Sequence, residues 1–369
     1  MGVVAQVVIL PKEDAPLRIE EIELPAPRPH QVVISQFASG ICHSQLHQIQ
    51  RPRDAPALLG HESTGVVITA GNEVTHVKVG DRVMVTWVPR PVSRIPEDTE
   101  LTLGDGTTVV CRTVFTWADH TIADEAFVVP LPEEAPTDVT AVIGCAVMTG
   151  AGAVIRTAQV GPGQSVAVFG VGGIGLSTVA AAAITGADPV IAVDLDDRKL
   201  EMAKSFGATD LFNASKADPV EAIRSLTRRP GEADVAAGPG VAARPAGGVD
   251  FAFDCIGVKV TTEQIFEATR FGAAGLRPGG TAVLIGIPPD DVHFSGRTLV
   301  LADKSYRGSV GGSCEPDRDF PIFLSWHQSR KLDLDSLVTD RFAMAQINEA
   351  TKALEEGQIM GRAILVFHH

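Results

Sequence analysis

Two cysteines and one histidine are the side chains of this sequence best suited to hold a metal ion. They are Cys42 in SGICHSQLH, His61 in LLGHESTG and Cys145 in IGCAVMTG. Two thiolates and one imidazole form a ligand set of the kind that catalytic zinc uses, with a fourth position open for water or substrate. Because the three residues lie far apart in sequence, only folding could bring them together. Taken singly, Cys145 is also typical of a packed core and His61 of a structural histidine, so spacing alone leaves a metal site as a hypothesis.

A second stretch predicts a phosphate-binding turn. Residues 165–194 read SVAVFGVGGIGLSTVAAAAITGADPVIAVD, in which a β-branched strand is followed by a glycine turn, a helix and a second strand. The pattern GxGxxG after a buried strand is typical of dinucleotide binding, because glycines permit a sharp turn and a close approach of backbone N–H groups to a pyrophosphate. The helix offers its positive N-terminal end to the phosphates. The glycines of the turn are Gly170, Gly172, Gly173 and Gly175.

A carboxylate follows this turn at a position suited to a ribose. Asp194 ends the second predicted strand, nineteen residues after Gly175. A carboxylate there can bind both ribose hydroxyls of an adenosine. Asp196 and Asp197 would repel a 2′-phosphate, although the Arg-Lys pair that follows them could accommodate one. The sequence therefore predicts NAD rather than NADP as the cofactor.

The composition describes a folded protein without a nucleic-acid surface. The chain has 369 residues, which predicts two domains, with 45% hydrophobic residues, 21% charged residues and a formal net charge of −14. This acidic balance argues against a nucleic-acid partner. No apolar run reaches the roughly 18 residues that span a membrane, and the N-terminus lacks the basic region of a signal peptide. Five scattered cysteines suit a reducing compartment, so we expect a cytoplasmic protein.

The patterning predicts two kinds of sheet. From Val3 to about Val129 the sequence consists of β-rich pieces separated by Pro, Gly and Asp, which indicates a compact, mainly antiparallel domain. From about Val147 strands and helices alternate, as a parallel sheet with crossover helices requires. The C-terminal part carries two amphipathic helices and then the strand GRAILVF, which could return to the first domain. The Gly-, Ala- and Pro-rich stretch Arg229–Gly248 predicts a long surface loop.

Several blocks together carry a family resemblance. GICHSQLH, GHESTG with GDRV after it, GCAVMTGAGAV, GVGGIG and AVDLDDRK occur in the order seen in zinc-dependent medium-chain alcohol dehydrogenases, which the sequence resembles over essentially its full length. The resemblance implies a mainly antiparallel, GroES-like catalytic domain over residues 1–147. It also implies a Rossmann NAD-binding domain over residues 148–310, a C-terminal return to the catalytic domain over residues 311–369, and an active site in the cleft.

The same resemblance implies roles for the site residues. Cys42, His61 and Cys145 look like the catalytic zinc ligands, and Glu62 looks like the adjacent carboxylate that aids ligand exchange. The resemblance implies a proton relay formed by Ser44 and His47, and contacts of His43 and Arg362 with the pyrophosphate. It places Lys199 beside Asp194 at the ribose. It also implies that Thr149 and Ile174 pack against the nicotinamide and that Ile287 contacts the carboxamide. As a histidine rather than an arginine, His43 is expected to hold NAD less tightly.

The chemistry that these residues predict is the oxidation of an alcohol. Two thiolates and a neutral imidazole cancel the charge of Zn²⁺, so an alcohol at the open position can lose its proton and become an alkoxide. Its α-carbon then gives hydride to the nicotinamide. Ser44 accepts a hydrogen bond from the substrate hydroxyl and passes the proton to the ribose hydroxyl. His47 releases the proton to solvent, since histidine titrates near neutral pH.

The sequence departs from the family at the second zinc site. Many members hold a structural zinc with four closely spaced cysteines after the GDRV strand, but here no cysteine follows until Cys111. We therefore expect one zinc per chain. Trp87 occupies the position that narrows the inner pocket, and a bulky aromatic side chain there should discourage branching next to the carbinol carbon. The expected substrates are primary alcohols and their aldehydes, including those with aromatic or long-chain tails.

Other functions remain open from the sequence. A polyol-type dehydrogenase of the same family would carry a carboxylate in place of the second thiolate, and Cys145 speaks against it. A glutathione-dependent formaldehyde dehydrogenase and the zinc-free quinone reductases are further enzymatic alternatives. From another class, the chain could be an NAD-binding redox sensor without turnover. The family pairs Rossmann sheet edges, so a small-molecule substrate and a homodimer or homotetramer are expected.

Overall fold

The computed structural model describes residues 2–234, 245–272, 277–289 and 291–367. The central part of the loop predicted over Arg229–Gly248, residues 235–244, lies outside them. No helix in these ranges combines the length and the apolarity needed to cross a membrane. In chain order the strands are β1 (Val3–Leu10), β2 (Arg18–Leu24), β3 (Gln31–Ile41), β4 (Ala57–Leu58), β5 (Glu62–Ala70), β6 (Arg82–Thr86), β7 (Thr99–Thr102), β8 (Thr108–Cys111), β9 (His120–Asp124), β10 (Val128–Pro130), β11 (Val166–Phe169), β12 (Val190–Asp194), β13 (Asp210–Asn213), β14 (Phe251–Asp254), β15 (Thr281–Leu284), β16 (Ser305–Gly308), β17 (Val338–Ala343) and β18 (Arg362–Val366).

The α-helices are shorter and lie mainly in the second half of the chain. They are α1 (His43–Gln50), α2 (Ala146–Gly152), α3 (Gly173–Ile184), α4 (Asp197–Ser205), α5 (Pro219–Thr227), α6 (Lys259–Ala268), α7 (Gly296–Leu301), α8 (Pro316–Gln328), α9 (Leu334–Leu337) and α10 (Ile347–Glu355). The chain divides into two units. The first consists of Met1–Ala146, Glu315–Ser329 and Asp333–His369, and the second of Val147–Cys314 and Arg330–Leu332.

The first unit is built on a mainly antiparallel sheet. Its strand order is β10-β6-β5-β3-β18-β17, and β9 also pairs with β3. The central strand β3 is buried along almost its whole length, as its apolar sequence requires of a strand covered on both faces. β18 pairs antiparallel with β3, so that Ile364 lies opposite Gly40. The C-terminal strand β18 thus belongs to the same sheet as β3.

The second unit is a parallel sheet with strand order β13-β12-β11-β14-β15-β16. The strands β11, β12 and β14 are short runs of apolar residues that the structure buries almost completely. The order reverses direction between β11 and β14, and in open parallel sheets ligands bind at the carboxyl ends of the strands near such a point. The predicted fold class, a GroES-like antiparallel domain with a Rossmann-like parallel domain, is confirmed.

Candidate metal centre and nucleotide-binding turn

The three side chains predicted as metal ligands meet in the first unit. The ligand atoms of Cys42, His61 and Cys145 all lie within 4.8 Å of one another. His61 Nε2 is 3.2 Å from Cys145 Sγ. Both cysteines are buried, with 4% and 5% of their surface exposed, whereas His61 is partly exposed. The fold therefore brings together side chains that lie far apart in the sequence.

Each of these three residues stands at the end of a regular element. Cys42 lies between β3 and α1, His61 directly precedes β5, and Cys145 directly precedes α2. Gly60, just before His61, has a φ of +92°, and a Cβ atom at this position would collide with the backbone of Trp117. Only glycine lets the chain turn so sharply here. The turn places the imidazole of His61 beside the two sulfur atoms.

The donor chemistry of this centre fits zinc. A hydrogen bond from the Cys145 thiol and the positive charge of Arg362 lower the pKa of Cys42, against the effect of burial. The same hydrogen bond and burial raise the pKa of Cys145. Of the two cysteines, Cys42 therefore loses its proton more readily, and both must be thiolates when a metal binds, because the thiolate is the ligand form of cysteine. In the described part of the chain, no other group of three or more such side chains is close enough to hold a metal.

A buried carboxylate lies directly beside the centre. Glu62 is fully buried, and its Oε1 accepts hydrogen bonds from Arg362 Nη2 and, at 3.1 Å, from Arg362 Nε. Its Oε2 accepts a hydrogen bond of 3.2 Å from the backbone N–H of Ala146, the residue after Cys145. Burial raises the pKa of Glu62, and Arg362 opposes that rise. Glu62 therefore links β18 to the start of α2.

Arg362 is itself almost fully enclosed, with 5% of its surface exposed. Burial alone would lower the pKa of its guanidinium, but the negative charges of Cys42 and Glu62 raise it above its ordinary value. The sequence assigned Arg362 to the pyrophosphate of the cofactor, and that contact stays a prediction. Its position three hundred residues from Glu62 hid this ion pair from the sequence analysis.

Sequence reasoning missed Gln45. This residue is fully buried in the first turn of α1, where its Oε1 accepts a hydrogen bond of 2.8 Å from the backbone N–H of Cys42. Its Nε2 lies 2.7 Å from His61 Nδ1. A glutamine three residues after the residue that precedes a helix is a known capping arrangement, and this spacing could have drawn attention to it. One amide thus connects two of the three predicted metal ligands.

Three other predicted residues lie on the same helix. Ser44 Oγ is buried and has no hydrogen-bond partner among the described residues. Buried hydroxyl groups almost always have a partner, so this one is available to a ligand. His43, in the first turn of α1, and His47, in its last turn, are both exposed.

An open cavity adjoins the metal centre. It has a volume of about 460 Å³ and is lined by residues 55–61 and 108–114 and by Gln48, so that His61 forms part of its wall. The cavity also contains Arg112, which has no hydrogen bond or ion pair within the described ranges. Trp87 lies edge-on to the imidazole of His61, with ring centroids 6.4 Å apart. Trp87 and the cavity therefore both lie next to His61.

The glycine turn of the second unit has the form that a dinucleotide requires. Gly170 has a φ of +84°, and α3 begins at Gly173. A Cβ atom on Gly175 would collide with the carbonyl of Gly170, so the helix can approach the strand only because this residue has no side chain. Asp194 ends β12, and its Oδ2 accepts a hydrogen bond of 2.9 Å from the backbone N–H of Val171.

The remaining predicted cofactor residues lie around this turn. Gly150, next to Thr149, packs so closely on the backbone carbonyl of Ile174 that a Cβ atom would not fit. Thr149 Oγ1 is buried without a hydrogen-bond partner among the residues that the structure describes. Ile287 is 63% exposed beyond the carboxyl end of β15, and Lys199 lies in the first turns of α4. Lys199 and Ile287 thus follow the carboxyl ends of β12 and β15, and Thr149 lies next to the residue that packs on Ile174.

Comparisons with known proteins agree with this arrangement. The family described as "Alcohol dehydrogenase GroES-like domain" matches residues 28–133, and the family described as "Zinc-binding dehydrogenase" matches residues 173–329. The chain is 30% identical to the alcohol dehydrogenase class-3 of Cereibacter sphaeroides, over 95% of this chain and 96% of that protein. It is 29% identical to the S-(hydroxymethyl)glutathione dehydrogenase of Paracoccus denitrificans, with the same coverage.

Solved structures show the same architecture. An alcohol dehydrogenase zinc-binding domain protein from Burkholderia ambifaria superposes with a TM-score of 0.86 at 28% identity, covering the whole of both chains. The benzyl alcohol dehydrogenase of Acinetobacter calcoaceticus superposes with a TM-score of 0.83 at 26% identity, covering 99% of this chain and all of that one.

Proposed function

Since the chain belongs to the zinc-dependent medium-chain alcohol dehydrogenase family, we propose that it interconverts primary alcohols and aldehydes with NAD as the hydride carrier. The observation that carries the proposal is the convergence of Cys42, His61 and Cys145 within 4.8 Å. These residues would hold the zinc ion. When bound, zinc supplies a Lewis acid that lowers the pKa of an alcohol at its open position.

The first unit also supplies a path for the proton that the alcohol loses. Ser44 lies two residues after Cys42 on α1, and its buried Oγ, unpartnered among the described residues, is free to accept the substrate hydroxyl proton in a hydrogen bond. His47 lies three residues further on, near the end of the same helix and exposed to solvent. We assign the release of the proton to His47, through the ribose hydroxyl of the cofactor.

The cofactor specificity follows from the charges after β12. Asp194 presents a carboxylate at the strand end, and Asp196 and Asp197 follow it. Arg198, the nearest cation in sequence, donates hydrogen bonds to both carboxylate oxygens of Asp196, the shortest of them 2.6 Å long. A guanidinium held in this way is less available to a 2′-phosphate, which supports NAD.

The cavity beside His61 supports substrates with a sizeable tail. Its 460 Å³ would admit an aromatic ring or a medium-length chain, and Trp87 next to the imidazole would leave little room for a branch at the carbinol carbon. A second candidate is the oxidation of S-(hydroxymethyl)glutathione, the substrate named for the relative from Paracoccus denitrificans. Arg112 in the lining of the cavity favours it, because its guanidinium, unpaired among the described residues, could bind a carboxylate of such a substrate.

An assay of NADH formation tests the proposal. The panel compares benzyl alcohol, octanol, 2-octanol and S-(hydroxymethyl)glutathione, with NAD and with NADP, before and after treatment with a zinc chelator. We expect kcat/KM to be at least about tenfold higher for octanol than for 2-octanol, and activity to be lost with the zinc. Preference for S-(hydroxymethyl)glutathione that disappears in Arg112→Ala selects the second candidate. Absence of turnover with every substrate, in a protein that binds zinc and NAD, would favour a redox sensor.

We also propose that the chain forms a homo-oligomer through the outer edge of its parallel sheet. Within the described residues, β16 pairs only with β15, and its other edge is open. Val300 and Val310, on either side of this strand, are each 77% exposed. An open strand edge next to exposed apolar side chains is suited to pairing with a second copy. Light scattering coupled to size exclusion should give a mass of two or four chains, and Val310→Lys should lower it.

A further inference from the structure

Gln45 occupies an unusual place between two proposed zinc ligands. Its side chain is fully buried, with Oε1 2.8 Å from the backbone nitrogen of Cys42 and Nε2 2.7 Å from His61 Nδ1. Histidines that bind metals usually donate their second ring N–H to a carboxylate, a backbone carbonyl or water. Here the group that faces this nitrogen is a neutral amide that has both a donor and an acceptor.

The orientation of the amide is fixed by its other partner. The backbone N–H of Cys42 can only donate, so the oxygen of the amide must face Cys42 and its NH₂ group must face His61. His61 Nδ1 therefore accepts a hydrogen bond and carries no proton. In the neutral imidazole the proton then lies on Nε2, the atom 3.2 Å from Cys145 Sγ. This is the arrangement of the metal-free centre.

Metal binding requires the opposite tautomer of His61. Nε2 is the atom of His61 that faces the cysteines, and it must present its lone pair to a metal, so the ring proton has to lie on Nδ1. Nδ1–H and the N–H of Cys42 then both need an acceptor. An amide oxygen can accept two hydrogen bonds, but one of these donors faces the oxygen of the Gln45 amide and the other faces its nitrogen, so in either orientation the oxygen lies opposite only one of them. Rotation of the amide by a half-turn serves His61 but turns its NH₂ group toward Cys42. Either orientation leaves one of the two donors without an acceptor.

We propose that Gln45 is a positioning residue of the zinc centre that makes metal binding cost one hydrogen bond, so that this chain holds zinc less tightly than the same site with a carboxylate at position 45. A carboxylate has two acceptor oxygens and could serve Cys42 and His61 together. The inference rests on the proposed role of Cys42, His61 and Cys145 as zinc ligands. It extends that role by naming a residue that sets the strength of the binding.

The neutral amide of Gln45 also affects how strongly the imidazole of His61 donates electrons to a metal. A carboxylate behind a metal-bound imidazole raises the basicity of that ligand, and a neutral amide does not. Gln45 therefore leaves the imidazole a weaker electron donor and adds no negative charge to two thiolates. A site of this kind binds the metal less tightly, and the metal in it polarises a bound substrate oxygen more strongly.

Zinc affinity measured by competition with a chelator tests the proposal without relying on activity. We expect Gln45→Glu to bind zinc at least about tenfold more tightly than the wild type, because both donors gain an acceptor. Gln45→Leu, which offers neither donor a partner, should bind zinc roughly 10–100-fold more weakly. A residue that acted only by capping α1 could not produce a gain in the glutamate variant.

Gln48→Glu is the matched control, because it adds the same charge to the exposed face of the same helix. If Gln48→Glu raises zinc affinity as much as Gln45→Glu, charge rather than hydrogen bonding is responsible and the inference fails. It also fails if the wild type binds one zinc and Gln45→Glu binds it no more tightly. A wild-type chain that binds no zinc would overturn the proposed function itself.

A second measurement does not depend on the folding of a variant. The ¹⁵N chemical shifts of His61 in the metal-free wild type, identified by comparison with His61→Asn, report which ring nitrogen carries the proton. We expect a protonated Nε2 and an unprotonated Nδ1. The opposite tautomer would overturn the orientation on which the inference depends.

Discussion

Ser44 and His47 have different surroundings, and these set what each can do in proton transfer. The Ser44 hydroxyl is buried and lacks a partner among the described residues, so it is poised for a group that arrives from outside the protein. His47 is exposed and in contact with solvent, where a proton can leave. Because both lie on the helix that begins beside Cys42, their distance from the metal centre is fixed by α1.

Ser44→Ala should lower kcat for primary alcohols by about 100-fold or more, within the range typical of groups that transfer protons. Its zinc content and thermal stability should equal those of the wild type, because the mutation removes a hydroxyl that has no partner among the described residues. Steady-state kinetics and metal analysis check both. An unchanged kcat would remove Ser44 from the proton path.

His47→Ala should lower kcat less than Ser44→Ala, and added imidazole buffer should restore part of the loss. The reason is that an exposed proton carrier can be replaced by one from solution, whereas a buried one cannot. Turnover measured from pH 5 to 9 with increasing imidazole tests this. If kcat is unchanged over that range, or if imidazole does not raise it, His47 has no part in proton release.

At the scale of elements, ion pairs and hydrogen bonds attach the segment after β6, which contains Arg94 and Glu97, to strand β9. Arg94 donates to both oxygens of the buried Asp124 at 2.6 and 2.8 Å, and the backbone N–H of Glu97 donates to the same carboxylate at 2.8 Å. Asp124 ends β9, so the segment is fixed to the main sheet. Ion pairs and hydrogen bonds thus connect this part of the chain to the sheet.

The ion pair of Glu62 and Arg362 joins the C-terminal strand to β5. Arg362→Met should lower the free energy of unfolding by roughly 3–5 kcal/mol, because it leaves a buried carboxylate without its partner. Arg341→Met is the matched control, since Arg341 lies on the neighbouring strand β17 and its pair with Asp138 is about 40% exposed. We expect about 0–1 kcal/mol there. Urea denaturation of both variants makes the comparison, and equal midpoints would contradict it.

The limits of sequence reasoning are clearest at this scale. Strands such as β11 and β12 are short β-branched runs, and the glycine turn between β11 and α3 has a fixed pattern, so both could be predicted. The strand β17 was missed, because VTDRFA alternates poorly and gains its partner only from β18. The orientation of Gln45 and the pairing of Glu62 with Arg362 depend on contacts between distant segments, which local patterns do not encode.

For the whole molecule, the sequence predicted the antiparallel part and the parallel part. It did so because the apolar period changes near Val147. The periodicity of apolar residues does not predict which charged residues are buried. Lys304 is one of them: it is 5% exposed, its Nζ donates to the carbonyl of Phe266 at 2.7 Å, and the rings of Phe266 and Phe271 lie within 5 Å.

Lys304 gives the stability of the protein a specific dependence on pH. Burial lowers the pKa of this lysine to about 7, whereas in the unfolded chain it is about 10.4. Between these values the unfolded state binds more protons, so stability should rise with pH from about 7 to about 10. Lys304→Met should abolish this rise and should stabilise the protein at pH 6.5 by on the order of 2–4 kcal/mol, after the loss of the hydrogen bond is allowed for.

Urea denaturation at pH 6.5 and 9.5 compares the wild type with Lys304→Met. The control is Lys352→Met, because Lys352 is 71% exposed and should leave the pH dependence as it is. Parallel pH dependences of the wild type and Lys304→Met would show that Lys304 keeps an ordinary pKa in the folded protein.

X-ray absorption at the zinc edge is the most direct test of the metal centre on which the proposed chemistry depends. We predict one zinc per chain, with two sulfur neighbours at about 2.3 Å, one imidazole nitrogen at about 2.0–2.1 Å and one further light atom. Cys145→Ser should lose one of the two sulfurs. A zinc ion surrounded by four sulfurs, or only by oxygen and nitrogen, would contradict the assignment of Cys42, His61 and Cys145.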